Sequence, residues 1–450
     1  MTLPAVVGLG RTATTVSGAD GAVAGPAGAR AAARRRVSGT PAPASPSPTR
    51  RNYDSTGEDV NPWLLTYDGF DPAQEGLREA LTALGNGRFV TRGAVPESRA
   101  DEVHHPGTYV AGCYDRPLAR GADRPVDLSP GADRPIDLSP GADRPVDGEA
   151  LVNAPNWLPL TFRAGGGDWF APGGAEILDC RHTLDMRRGV LTRFLRVCDP
   201  LGRITRMEQH RLVSMADPHL AALAVTIVPE NWAGTLEVRS ALDGRVTGSG
   251  SAPHRGPAAL PPVPICGHAA HGVIELLART ATSHMEIALA ARTTLAGGRC
   301  RTGVEEGWVH DDRAVEVRAG DEVTVEKIVA LYTSGDRAVA ESEAAARAAV
   351  VRAGGFHALL KRHVRAWDRL WQCSHVTDED AEVQQILNLY LFHLLQTASP
   401  QVAGRAAGPP GEARRGHAFR DDLSVLPLLV EAAGTLVPTF GAAGGLAFRI

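Results

Sequence analysis

Carboxylates, hydroxyls, imidazoles and indoles are the groups of this 450-residue chain that could do chemistry, and they gather in a few places. Glu412, Asp421 and Asp422 crowd into the run GEARRGHAFRDDLS, where a close carboxylate pair could divide acid and base work if its surroundings split the two pKa values. Solvated loop carboxylates are far commoner, and that is the expectation for these three. Ser214, Asp217 and His219 contain the elements of a hydrolytic triad, but a single strand-turn segment cannot easily converge in that geometry. His104-His105, His268, His271 and His284 fit no common metal spacing and are expected at the surface. Trp157, Trp169 and Trp232 could stack on sugar rings, although tryptophans among strands more often fill cores or cover edges. Gly85-Asn86-Gly87 has glycines that a phosphate loop would use, yet it lacks the lysine and the following helix, so a hairpin turn is the stronger reading.

Composition narrows what these groups can serve. With 43% apolar residues the chain can bury large cores, and its length suggests two or three domains. Lys and Arg number 47 against 51 Asp and Glu, a formal charge of −4, so no overall field favours nucleic acid. Six dispersed cysteines without a CxxC pair read as free thiols of a reducing, cytoplasmic setting. No run reaches the roughly 18 to 20 apolar residues that span a bilayer, and no signal-peptide core is evident, so no membrane partner is expected. Lys327 and Lys361 are the only lysines, a compositional bias to which no chemistry is attached.

The elements that must position these residues fall into a β part and an α part. Residues 1–50 have too few large apolar residues to offset ordering entropy, and the reading is a disordered tail whose Arg34-Arg35-Arg36 is a solvated charge run. Between 121 and 147 a unit GADRPVDLSP recurs almost unchanged and reads as a duplicated surface loop. In GVLTRFLRVCD, Leu191, Leu195 and Val197 share one parity with Arg193 as the exception. A turn at Asp199-Pro200-Leu201-Gly202 then sends RITRMEQHRLV back as a hairpin. Further runs such as LAALAVTIVP, TLEVRSAL, HMEIALAART and VTVEKIVALYT imply an antiparallel β-sandwich. Past residue 335 the period becomes helical. ESEAAARAAVVRA is a strong helix former, and FHALLKRHVRAWDRLW puts Phe356, Leu359, Leu360, Val364, Trp367, Leu370 and Trp371 on one face. AEVQQILNLYLFHLLQTASP is apolar almost all round, which suits a helix buried on both sides. Left without such neighbours, it would expose a large apolar patch.

Nine blocks, in order, resemble glycoside hydrolase family 65, which includes the maltose, trehalose and kojibiose phosphorylases. They are LTALGNGRFVTRGAVPE, GTYVAGCYDRP, LVNAPNWLPL, ILDCRHTLDMRRGVLTRFLR, RLVSMADPHLAAL, ENWAGTLEVRSALDGRVT, VTVEKIVALYTS, LFHLLQTASP and GEARRGHAFRDDLSVLPLL. The resemblance implies a sandwich domain over 51–335, a helical linker over 336–376 and, over 377–450, the first helices of an incomplete (α/α)6 barrel. It also implies inverting phosphorolysis or hydrolysis of α-glucosidic disaccharides, in which a glutamic acid protonates the leaving oxygen. Inorganic phosphate would be the co-substrate, with no metal or organic cofactor. A disaccharide is the implied partner, and a homodimer is one assembly that the family allows.

Residue by residue, Gly416-His417-Ala418-Phe419-Arg420-Asp421 stands where the family usually reads Gly-His-x-Phe-Trp-Asp. The resemblance therefore assigns His417, Arg420 and Asp421 to substrate binding. Arg420 replaces the tryptophan, keeping donors for hydroxyls but losing the indole face, and Arg414 and Ser424 also stand where the family has aromatic residues. Nothing after Pro427 resembles the segment that leads to the family's general acid, so no catalytic residue is assigned. Two expectations follow: an enzyme of this family represented by an incomplete chain, or a truncated, catalytically inactive remnant that binds carbohydrate.

Overall fold

Alternation predicts a hairpin over 189–213, and the chain builds it: Asp199 Oδ1 accepts from the backbone N–H of Leu201 and Arg203 at 2.9 Å each, and Gly202 takes the left-handed conformation that closes the turn. The structure is a computed structural model that describes residues 61–115, 150–246, 260–336, 339–374 and 376–397, with the backbone of two short strands beyond them. The tail, the repeat at 121–147, and His417, Arg420 and Asp421 with their neighbouring carboxylates lie outside the described residues.

In chain order the elements begin with β1 (Leu64–Asp68), α1 (Glu75–Leu81), β2 (Leu84–Gly85), β3 (Phe89–Thr91), β4 (Thr108–Asp115), β5 (Ala150–Asn153) and β6 (Leu160–Ala164). There follow β7 (Glu176–Asp185), β8 (Val190–Cys198), β9 (Ile204–Val213), β10 (Leu220–Pro229), β11 (Gly234–Asp243) and β12 (Val263–Ala270). Next come β13 (Val273–Arg279), β14 (Glu286–Leu295), β15 (Arg299–Glu305), β16 (Trp308–Val317) and β17 (Val323–Thr333), then α2 (Ser342–Arg352), α3 (Phe356–Cys373) and α4 (Ala381–Thr397). The short strands β18 (Val437–Phe440) and β19 (Leu446–Arg449) pair with each other.

The strands pair antiparallel in a nine-stranded sheet, β1-β7-β8-β9-β10-β17-β14-β13-β12, and two four-stranded sheets, β15-β16-β11-β6 and β2-β3-β4-β5. One continuous apolar core joins the inner face of the large sheet to both small ones, which is the expected sandwich. Strand β10 shows why LAALAVTIVP is apolar on both parities. Ala221, Leu223, Val225 and Ile227 enter the inner core, while Leu220, Ala222 and Ala224 join a second cluster on the outer face. That outer cluster includes α2, whose Ala346 and Ala349, with Ala353 just past its end, meet Ala288, Ala290 and Ala330 of the sheet. Small residues on both sides explain an alanine-rich helix with little amphipathic contrast.

The helices dock through polar groups as well as apolar ones. On α3, His363 occupies the buried stripe between Leu359 and Trp367. Its Nδ1 accepts from the Met215 N–H and its Nε2–H donates to Gly189 O, both at 3.0 Å. Trp367 stacks on Phe392 of α4 with ring centroids 4.8 Å apart. Gly189 is at φ +64, and a Cβ there would run into the Trp367 indole, so the helix seats against a residue without a side chain.

Helix α4 departs from the expectation of an unpartnered apolar helix. Gln385, Asn388, His393 and Gln396 donate to the main-chain carbonyls of Leu64, Pro62, Leu81 and Ala83 respectively, and Phe392 is fully buried. One side of the helix is therefore docked on the sandwich, and Leu394 remains exposed. The polar residues interrupting the apolar run are what seat it. No helix among the described residues is long and apolar enough to cross a membrane.

Candidate functional site

A cleft of about 460 Å³ opens beside the small sheet that contains β6 and β11. Strand pairing places Arg163 and Arg239 on neighbouring strands, and both guanidinium groups lie against the Trp169 ring, 4.5 and 4.4 Å from its centroid. Arg239 is fixed in turn by a fork to Asp312, Nε to Oδ1 and Nη2 to Oδ2 at 2.7 Å each. At the end of β11, Arg245 lies over the Trp308 ring at 4.5 Å and bonds Asp243 at 2.9 Å. Asp243 exchanges backbone hydrogen bonds with Asn156, which ties the segment after β5 to the end of β11. Phe170 stacks on Phe162 with centroids 5.2 Å apart, and Asn153 and Asn156 bring side-chain amides to the same space.

The opposite wall is the segment around Pro96–Ala100, and a buried polar cluster holds it. Arg193 donates to Glu97 at 2.6 Å with both side chains almost wholly buried, so the odd residue on the apolar parity of β8 is the one that anchors the wall. Arg211 is 2% exposed and donates to Ala94 O at 2.8 Å, and burial brings its pKa down to about 10. Glu79 accepts from the imidazole of His104 at 3.1 Å and from the backbone N–H of His105 at 2.9 Å. Burial opposes charge on His104, but the Glu79 bond and charge outweigh it and raise the imidazole. On β7, His182 is driven well below its ordinary range by burial and by the neighbouring Arg193 and Arg211. Buried Nε atoms of Arg78, Arg92 and Arg193 and Nε2 of His104 and His182 have no hydrogen-bond partner, so the cluster is a polar seam inside the sandwich.

A second buried device lies between the sheets. Lys327 of β17 is fully buried and donates to Ala241 O at 2.7 Å and Pro159 O at 3.0 Å. Burial lowers its pKa to about 7, against a smaller opposing pull from Asp311. Pro159 lines the cleft, so this amine fixes the cleft floor to the large sheet. Composition alone did not single it out.

Of the residues singled out by sequence, His417, Arg420 and Asp421 lie outside the described residues, as do Glu412 and Asp422. Ser214, Asp217 and His219 do not assemble a triad. Ser214 Oγ accepts from the Asp217 N–H at 3.0 Å, whereas His219 bonds Leu331 O and stacks on Tyr332. The Gly85-Asn86-Gly87 turn is a hairpin turn, closed by Asn86 Oδ1 on the N–H of Arg88 and Phe89. His268, His271 and His284 are exposed as expected, but His104 is buried and His105 half-buried, because Glu79 supplies an acceptor inside the fold. Trp157 and Trp232 fill the core, whereas half-buried Trp169 lines the cleft. The six cysteines are free, and burial pushes the Cys113 thiol up to about 12. Among the described residues no group of three or more His, Cys, Asp or Glu could hold a metal ion.

Comparison with known proteins agrees with this architecture. The sequence model for the N-terminal domain of glycosyl hydrolase family 65 matches residues 65–370. An uncharacterized glycosyl hydrolase of Mycobacterium tuberculosis is 40% identical over 388 residues, 82% of this chain and 27% of its own length. A kojibiose phosphorylase of Caldanaerobacter subterraneus subsp. tengcongensis is 27% identical over 403 residues, covering 83% of this chain and 47% of the relative. An α,α-trehalose phosphorylase of Thermoanaerobacter brockii is 24% identical over 391 residues, 82% and 47% respectively. Thus the chain spans between about a quarter and a half of the length of these relatives. A solved structure of a candidate kojibiose phosphorylase from the human microbiome superimposes with a TM-score of 0.62 at 18% identity, over 75% of this chain and 42% of that one, which supports the fold. The chain belongs to glycosyl hydrolase family 65 and carries the family's N-terminal β-sandwich domain.

Proposed function

We propose that the protein takes part in inverting phosphorolysis or hydrolysis of an α-glucosidic disaccharide, namely trehalose, maltose or kojibiose. Inorganic phosphate is the co-substrate of the first reaction, and neither needs a metal or organic cofactor. On this reading residues 51–335 are the sandwich, 336–376 the helical linker and 377–450 the opening of an (α/α)6 barrel, where His417, Arg420 and Asp421 meet the glucose ring. The protein works in the cytoplasm, alone or as a homodimer. The observation that carries the reading is the match to kojibiose and trehalose phosphorylases over more than four-fifths of this chain.

Breaking the glycosidic bond needs a carboxylic acid aimed at the bridging oxygen. Among the described residues, the two carboxylates that line the cleft, Glu97 and Asp243, are instead bonded to Arg193 and Arg245, an arrangement that orients acceptors. This favours a second reading, in which the 450-residue chain binds carbohydrate and does not cleave it. Incubating the purified chain with each disaccharide, with and without phosphate, and measuring glucose and glucose 1-phosphate tests it. No release above a buffer blank is expected. Turnover that one carboxylate substitution abolishes would refute the noncatalytic reading.

A further inference from the structure

We infer that the cleft between the Pro96–Ala100 segment and the small sheet, whose lining residues do not include the 416–421 block, is a binding site for a neutral sugar. Its volume of about 460 Å³ lies within the ~300–1,000 Å³ of small-molecule pockets. Apart from exposed Arg99, the charges that line it are matched within the protein: Glu97 with Arg193, Asp243 with Arg245, and Arg239 with Asp312. An anion could meet Arg99 but elsewhere would have to break one of these pairs, whereas a polyol can add hydrogen bonds to all of them. The Arg239 fork uses Nε and Nη2, which leaves Nη1 for a ligand hydroxyl.

The aromatic groups complete the case. Trp169 and Phe170 are half-buried and line the cleft, giving apolar ring surface beside which the C–H side of a pyranose ring can pack. Two guanidinium groups against Trp169 and a fork on Arg239 hold the indole in one orientation, so little ordering remains for the ligand to impose. An aromatic wall, planar polar groups and charges mostly neutralised within the protein are what hydroxyl-rich, uncharged ligands require. The choice of an α-linked glucoside rests on the functional reading above; the preference for a neutral sugar does not.

Calorimetric titration of the full chain with maltose, trehalose, kojibiose, cellobiose and inorganic phosphate tests the site. Saturable binding of at least one sugar is expected, weakened at least tenfold in Trp169→Ala and partly restored in Trp169→Phe. Hydroxyl-radical footprinting of the unmodified chain supplies a readout that does not depend on how a variant folds. Saturating sugar should protect Trp169 and leave exposed Phe70 labelled as before. Binding of cellobiose alone, lost in Trp169→Ala, would support the cleft while refuting the α-glucoside reading. Absence of saturable sugar binding, sugar binding without protection of Trp169, or tighter binding of phosphate than of any sugar would overturn the inference.

Discussion

Acidification should loosen the helices from the sandwich, because both are seated by imidazoles that must stay neutral. Burial holds His363 at about 4, against an ordinary 6.5, although its bond to Gly189 O pulls the other way. Its Nδ1 accepts from the Met215 N–H, so a proton added there would face another N–H. His393 of α4 repeats the pattern: Nε2–H donates to Leu81 O, Nδ1 accepts from Gln396, and burial again brings the group to about 4. The folded-state pKa is depressed in both cases. The stability they contribute is intact above pH 6.5 and is lost as pH falls toward 4, since only the unfolded chain takes up the proton in that window. At about 1.4 kcal/mol per pH unit, going from 6.5 to 5.0 costs about 2 kcal/mol for each histidine, or about 4 kcal/mol together. That is a large part of the roughly 5–15 kcal/mol that holds a typical domain folded. Urea titrations at pH 7 and pH 5, followed by tryptophan emission, report on this region because Trp367 and Trp371 flank the site. His363→Asn keeps an acceptor for Met215 but cannot titrate, so its loss between the two pH values should be about 2 kcal/mol smaller than that of the unmodified chain. Equal losses in the two proteins would refute the reasoning.

Lys327 predicts the opposite end of the pH scale. With a folded value near 7 and an ordinary value of 10.5, stability should rise by about 1.4 kcal/mol per pH unit between 7 and 9, and Lys327→Met should abolish that slope in urea titrations. Glu97→Gln leaves Arg193 buried without its carboxylate and should cost ~3–5 kcal/mol by chemical denaturation, with part of the loss recovered when Arg193→Met is added. Gly189→Ala forces a left-handed residue against the Trp367 indole and should lower stability by ~1–3 kcal/mol; an unchanged urea midpoint would show that the helix yields there without cost.

Strand identity was legible in the sequence because alternation and turn residues are local, and the β8–β9 hairpin follows from Leu191, Leu195, Val197 and the Asp199–Gly202 turn. Sheet order was not, since the insertion of β17 between β10 and β14 depends on one partner about a hundred residues away and on another about thirty to forty-five away. Polar residues inside apolar patterns carried a signal that local pattern cannot interpret. Arg193 looked like an exception on its strand, and His363 shared the stripe of Leu359 and Trp367, yet each is buried because a distant segment supplies its partner. His104 was expected in solvent for the same reason: Glu79, its acceptor, lies 25 positions earlier on a helix. Of the cleft, only Trp169 stands out in the sequence, since its walls come from segments near 97, 156, 169 and 243 that converge only in three dimensions. The block containing His417, Arg420 and Asp421 was recognisable solely by resemblance and lies outside the described residues.

The seating of α4 is chemically one-sided. The helix supplies side chains, Gln385, Asn388, His393 and Gln396, and the sandwich answers with main-chain oxygens at residues 62, 64, 81 and 83. A carbonyl is the same whatever residue bears it, so mutational tolerance across this contact should be lopsided. The sandwich side can drift in identity as long as its backbone path holds, while the four helix positions cannot be exchanged without leaving an oxygen dry and unanswered.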